Sequence, residues 1–522
     1  MGSTLRAARA LILLLGFYLI GFILLGALGA LDWGLVSGGH VGVGVMKLVI
    51  LSVIVAIPVV QGLFVIRSPK FEPPAGVRVD EHAEPRLWAA VRRLAEQTGT
   101  RAPDEIYLVA EVNAAVHEES RLLGLRSGRR VLLIGVPLLT GLDEAQLMGV
   151  LAHEFGHYSN ADTRLGAINR RGFEQISRTV TTLMGRAEAK RAQKTADGEA
   201  SPDADSGQAG LSYRLAAKPF IWYGAFYVRS MRGAMRRAEF AADHTAARIA
   251  GRDAVASALR EIPVLDTAFG FYLNSYATLG TGAGLLPPPG EFYGGLRHLL
   301  SARHDELDKL RRELPQEEPS PYDTHPPIAE RVARIEQLAD DGRAATASGP
   351  GTGLLADPAA AFAAVEQVSL TPRALAMRRA EDWPQLVHAS MTTYAANSAE
   401  PLREAVRAVR GGDGSLADTL AAVDAGTLWQ IADHLPKSEE AAAATGRAAR
   451  EFARPRLRAM LSALVTGELI GQGAARFELS WTGPAELRMA DGLAERVEQA
   501  LDAAVADVPD TSGLRQTLAV SA

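Results

Sequence analysis

The chain of 522 residues contains no cysteine. That absence excludes disulfides, thiolate metal sites and cysteine nucleophiles together, so any metal must be held by His, Asp or Glu. It also fits a reducing compartment. A basic excess is missing too: charged residues make up 22% and the formal net charge is −5, which is not the electrostatic footprint of a nucleic-acid-binding protein. No nucleic acid partner is expected. There is no clear internal repeat, and the length exceeds the ~100 to 200 residues of an ordinary domain, so two or three units are expected.

What the chain does have is concentrated at its start. Leu11 to Leu31, LILLLGFYLIGFILLGALGAL, carries no charge and is long enough to cross a bilayer core, which needs ~20 residues. Val43 to Ile66 is a second candidate, with Lys47 near its outer end, where the ammonium can snorkel to the headgroups. Pro58 and Gln61 inside it are read as a kink and a helix contact. The first run is longer than a signal-peptide core and a second span follows at once, so it is expected to be retained. Arg6 and Arg9 precede the pair, Arg67 and Lys70 follow it, and Asp32 to Gly42 between them has no Lys or Arg. By the positive-inside rule both outer flanks face the cytoplasm and a short hairpin faces out. A lipid bilayer is therefore an expected partner, and the expected location is the cell membrane.

Beyond the anchor, residues 1–70, the fold class expected is mainly α with a small β-sheet: a central domain over 75–340 and a mainly helical domain over 355–522. A helix is expected from Pro85 to Gly99, strands over Glu105 to Val112 and Arg129 to Gly135, and a further helix from Asp143, where Gln146 three residues on offers a capping box. Arg186 to Gly210 is polar and rich in Gly, Ser, Asp and Ala, and reads as a disordered insertion. Leu215 to Val228 is apolar but short and broken by Lys218 and Pro219, which predicts a buried or interfacial helix rather than a third crossing. Asp340 to Gly353 ends the central domain. The Ala- and Leu-rich remainder, with one strand-like piece RFELSWTGPAELRM, shows no chemical constellation, and a packing module or a site for a protein partner is the expectation there.

The chemistry lies in VLAHEFGHYSNAD, Val150 to Asp162. On a helix His153 and His157 share a face, so their imidazoles can converge, and Glu154 can reach the same point. Neutral imidazole suits zinc, but a catalytic ion takes three protein ligands and keeps one position open. RRAEFAADHTAARIA supplies candidates one turn apart: Glu239 can complete the coordination, and Asp243 can accept a hydrogen bond from a ligand imidazole and fix its tautomer. His244 points elsewhere around the helix and ranks below Glu239. Asp162 is read as ending the helix. The bland alternative, two ordinary histidines on a helix, is disfavoured by the two motifs occurring together.

HEFGH followed by N-A-D, the E-x-x-x-D helix and a later THPPIAERVARI resemble the membrane gluzincin metallopeptidases, the group of HtpX-type proteases and CAAX prenyl endopeptidases. The resemblance covers roughly Val77 to Leu338. It implies a zinc endopeptidase with one zinc per chain, Glu239 as third ligand, His325 near the substrate oxyanion and Arg331 holding the local structure. Glu154 then serves as general base. For His325, a loop histidine before a Pro-Pro turn is an equally open reading. The expected substrates are polypeptides, membrane or unfolded proteins, in membrane protein quality control. RRVLLIG is the candidate edge for pairing with an extended substrate, and Asn113 either helps form that groove or makes a turn. A membrane-anchored scaffold or signalling protein with an inactive metal site is the alternative, against which stands the presence of His153, Glu154, His157 and Glu239 together.

Overall fold

The computed structural model describes residues 3–38, 42–64, 74–121, 126–159, 163–196, 208–313, 326–340, 342, 348–436, 440 and 443–521. Contacts divide the chain into two units. The first comprises Met1–Leu265 with Lys309–Ala356, the second Asp266–Asp308 with Asp357–Ala522.

The first unit opens with two helices, α1 (Ser3–Ser37) and α2 (Val43–Phe64). Within them, Leu11–Ser37 and Gly44–Gln61 are long and apolar enough to cross a membrane. A four-stranded sheet follows, built from β1 (Gly76–Arg78), β2 (Glu105–Val109), β3 (Ala114–Arg121) and β4 (Arg126–Gly135) in the order β1-β2-β4-β3. β4 runs parallel to β2 and antiparallel to β3, with Ile106 opposite Leu132 and Val116 also opposite Leu132. Its run VLLI is buried, as a strand paired on both sides requires. RRVLLIG, the candidate edge, forms the interior strand β4; the sheet's edges are β1 on one side and, on the other, β3. That strand was missed because its second half, HEESR, is charged, which is how an edge exposed to water protects itself.

The helix α3 (Pro85–Thr98) begins with Pro85 in its first turn and ends on Gly99 at φ 67, the pairing of start and stop residues that helix ends favour. Its Leu87, Val91 and Leu94 are buried at helical spacing. After a short α4 (Val136–Gly141) comes α5 (Glu144–Ser159). The Asp143 side chain accepts the Gln146 N–H at 2.8 Å while the Gln146 side chain accepts the Asp143 N–H at 3.0 Å, the reciprocal cap expected from the sequence.

Two long helices, α6 (Thr163–Ala196) and α7 (Gln208–Ala250), pack against each other and against α1 and α2. The expected disordered insertion over 186–210 is thereby shortened: α6 continues through RAEAKRAQKTA and α7 starts at Gln208. Alanine, lysine, glutamate and glutamine are good helix formers, and their propensity carries the helix on. Residues 197–207 lie outside the described residues.

The second unit takes in Asp266–Asp308, which the sequence reading had kept with the peptidase domain. Aromatic packing binds this segment to the C-terminal part: Tyr276 stacks on Trp481 at 4.7 Å and donates its hydroxyl to the Ser480 carbonyl at 3.0 Å. The Phe292 N–H donates to buried Glu366 at 2.8 Å. The core of the C-terminal part lies between the helices Trp383–Arg410 and Gly446–Gly471, with Leu402, Val406, Leu461 and Leu464 buried. RFELSWTGPAELRM forms a two-stranded antiparallel hairpin, Ala475–Glu478 with Glu486–Met489. It is tied to the first of those helices by the Phe477 N–H, which donates to His388 Nδ1 at 3.2 Å.

Candidate metal centre

Two crossed helices make the site. α5 carries His153, Glu154 and His157, and α7 carries Glu239 and Asp243. Both faces at the crossing are apolar and close: Leu151, Ala152 and Phe155 of α5 and Ala242 and Ala246 of α7 are fully buried. Gly156 permits the approach, because a Cβ there would stand 3.0 Å from the Ala242 Cα. That glycine, inside HEFGH, places the carboxylate of one helix beside the imidazoles of the other.

His153 Nε2 and His157 Nε2 are 3.2 Å apart. Glu239 Oε2 lies 3.5 Å from the first and Oε1 lies 3.6 Å from the second. A tetrahedral ion with donors at ~2.0 to 2.1 Å holds its ligand atoms ~3.3 Å apart. The three separations thus fit one small cation with borderline-soft nitrogen and oxygen donors, and zinc is the ion this set suits. Two neutral imidazoles and one carboxylate would leave it a net positive charge. Glu154 is half-buried beside His153, and His244 is exposed.

Behind the ligands lies a buried ionic network. Asp243 Oδ1 accepts from His153 Nδ1 at 2.9 Å, and the Asp243 carboxylate takes a two-pronged contact from Arg331, with Nη2 to Oδ1 at 2.6 Å and Nε to Oδ2 at 2.9 Å. Arg331 comes from the helix Ile328–Glu336, and its Nη1 approaches Glu239 at 3.8 Å. It also stands 3.2 Å from His153 Nδ1; both groups are donors here, so this closeness reflects the acceptor they share. Burial disfavours the His153 imidazolium, yet the hydrogen bonds to Asp243 and Glu239 outweigh it, and with protein groups alone its pKa is held up to about 9. Burial likewise opposes the Asp243 carboxylate, but Arg331 and His153 bring its pKa below the ordinary value. An anionic Asp243 is therefore the stable form, and it balances Arg331.

The edge strand is latched to the same helix. Tyr158, next to His157, donates its hydroxyl to the Val116 carbonyl of β3 at 2.7 Å, and the Arg130 guanidinium covers its ring at 4.8 Å. Neither Tyr158 nor Val116 was singled out from the sequence. Tyr158, coming straight after the motif, was the available signal. Asn113 is exposed; its N–H donates to the Glu111 carbonyl at 2.9 Å and its own carbonyl accepts the Gly135 N–H at 2.8 Å. His325 and Asp162 lie outside the described residues.

A His-His-Glu cluster on two crossed helices, with a glutamate following the first histidine, defines a zinc metallopeptidase centre. Residues 81–339 match peptidase family M48, and this domain belongs to that family of zinc endopeptidases. The chain is similar to Protease HtpX of Xanthomonas oryzae pv. oryzae (strain PXO99A), 24% identical over 250 residues, 48% of this chain and 70% of that protein. It is also similar to Protease HtpX homolog 1 of Saccharolobus solfataricus, 33% identical over 138 residues, 25% of this chain and 42% of that one. Among solved structures, S. mikatae Ste24p aligns over 60% of this chain and 62% of its own at 13% identity, with a TM-score of 0.29, a likeness too slight to bear on the fold.

Proposed function

We propose that this protein is a membrane-anchored endopeptidase that cleaves membrane or unfolded polypeptides at the cytoplasmic face, in membrane protein quality control. The observation that carries the reading is the set of three donors at tetrahedral spacing with Glu154 in the same helical turn. His153, His157 and Glu239 are the residues that would hold zinc. Zinc bound there polarises a peptide carbonyl and lowers the pKa of water from ~15.7 toward ~7.

The remaining chemistry belongs to side chains of this chain. Glu154 accepts a proton from the attacking water as the new C–O bond forms, then hands it to the leaving amine nitrogen as the C–N bond breaks. Asp243 keeps the Nδ1 proton of His153 in place so that Nε2 presents its lone pair. The free side of β3 can pair with an extended backbone, giving register with little demand on side chains, and the Tyr158 latch keeps that edge beside the catalytic helix. In this reading His325 donates to the developing oxyanion, and the C-terminal domain serves a protein partner. The arginines and lysine flanking the two apolar runs support the cytoplasmic orientation.

The test is comparative proteomics of cells carrying the unaltered protein or Glu154→Gln. Membrane proteins should accumulate in the variant and be cut by the purified unaltered enzyme. A proteome unchanged by the substitution, with active enzyme in vitro, would remove quality control from the proposal.

A further inference from the structure

We propose that the outward face of α7 between Leu215 and Arg237 binds anionic phospholipid at the bilayer surface. The helix has two sides at this level. One packs on the membrane hairpin: Phe220 meets Phe17 with ring centroids 5.8 Å apart, and the Tyr223 hydroxyl donates to the Leu13 carbonyl at 2.5 Å. Leu13 and Phe17 belong to the apolar run of α1. The opposite side exposes Leu215, Ile221, Phe226 and, at 74% exposure, Trp222. These are large apolar groups that the described residues leave between 44% and 74% exposed, on a helix whose other face is fastened to membrane segments.

Charge supplies the second observation. From Gln208 to Ala238 there is no acidic residue, while Arg229, Arg232, Arg236 and Arg237 follow the apolar stretch. Arg236 is paired with Glu330. Arg229 and Arg237 are exposed and have no ion pair among the described residues. Trp222, Phe226, Arg229 and Arg237 recur at helical spacing, so the face passes from apolar to cationic along its length. Aromatic groups at the acyl boundary with arginines beside them are how a helix lies on an anionic bilayer.

The apolar stretch is too short for a crossing, which takes ~20 residues, and Lys218 interrupts it. The partner helix α6 turns Arg178, Thr181, Thr182 and Glu188 outward, a face that would not enter hydrocarbon. Continuity with α1 and the one-sided charge therefore select the lipid surface as occupant. The last residue of this face, exposed Arg237, stands two positions before buried Glu239 on the same helix and on another side of it, and occupation of the face does not depend on peptide cleavage.

The experiment uses the full chain in neutral detergent micelles. Because the protein has no cysteine, Phe226→Cys offers a unique attachment point for an environment-sensitive fluorophore. Titrating phosphatidylglycerol should shift its emission to the blue with saturation, whereas phosphatidylcholine should not. In Phe226→Cys/Arg229→Gln/Arg237→Gln the apparent affinity for phosphatidylglycerol should fall on the order of 10-fold to 30-fold. The two glutamines replace exposed side chains, and an unchanged circular dichroism spectrum confirms folding. Equal response to both lipids, or equal affinity in the arginine variant, overturns the proposal. So does a lipid-independent shift that grows with protein concentration, which would mark a second copy. Quenching by lipids brominated at the chain ends would mark a crossing and overturn it as well.

Discussion

Asp243 Oδ1 lies 2.9 Å from His153 Nδ1, and this contact decides which imidazole nitrogen faces the ligand cluster. Asp243→Asn keeps the shape but removes the charge that balances Arg331. Zinc affinity should fall about 10-fold to 100-fold, measured by competition with a chelator. Unchanged affinity would reduce Asp243 to a structural partner of Arg331.

Base and ligand separate in a second pair of variants. Glu154→Gln should retain zinc while cleavage of an unstructured test protein drops ~100-fold to 10,000-fold, the usual worth of a general base. Glu239→Ala should lose the zinc itself. Full zinc content and activity in Glu239→Ala would mean that another residue completes the site.

Gly156→Ala probes the helix crossing. Alanine raises helix propensity by roughly 1 kcal/mol, yet its Cβ meets the Ala242 Cα at 3.0 Å. The helices must shift, and turnover should fall by as much as ~100-fold while helix content is unchanged. Kinetics beside circular dichroism tests this, and an unaffected enzyme would show that α7 yields at no cost to the site.

Much of the site was open to reading because a helix converts spacing into direction. His153 and His157 must share a face, and Asp143 with Gln146 marks where that helix starts. Glu239 and Asp243 were found the same way. The Gly156 contact, the Tyr158 latch and the β3 edge depend on which elements meet in space, and a single chain's periodicity does not carry that. Arg331 is instructive: between Glu330 and Val332 in an ordinary amphipathic helix it looks like a solvated surface residue, and only the resemblance drew attention to it. The contacts of Asp266–Asp308 with Trp481 and Glu366 could not be read from the sequence, because those partners lie far along the chain.

In the second unit, pH acts through His388. Burial, aided by Arg476, lowers its pKa from the ordinary 6.5, so the folded form binds protons less readily than the unfolded form. The stability it contributes is present above about pH 6.5 and is lost as pH falls through the lowered value. The protonated ring cannot accept the Phe477 N–H. Hydrogen exchange at Phe477, corrected for its intrinsic rate, should accelerate below about pH 6.5. A flat profile would mean that the hairpin holds without this bond.

Orientation is tested with single cysteines at Ser37 and Glu96, both exposed. From outside intact cells an impermeant thiol reagent should mark Ser37→Cys only. Labelling of Glu96→Cys instead would invert the topology.

Because one helix carries both Trp222 and Glu239, it acts as a ruler. With Trp222 at the lipid surface, as proposed, the ligand cluster stands at most about 25 Å along the helix axis from it, at 1.5 Å per residue. An extended chain covers that in roughly eight residues. A membrane-embedded substrate whose free tail is shorter than this cannot thread its scissile bond to the site unless part of its own span is first drawn out of the bilayer. Tail length, independent of sequence, would then sort substrates from bystanders.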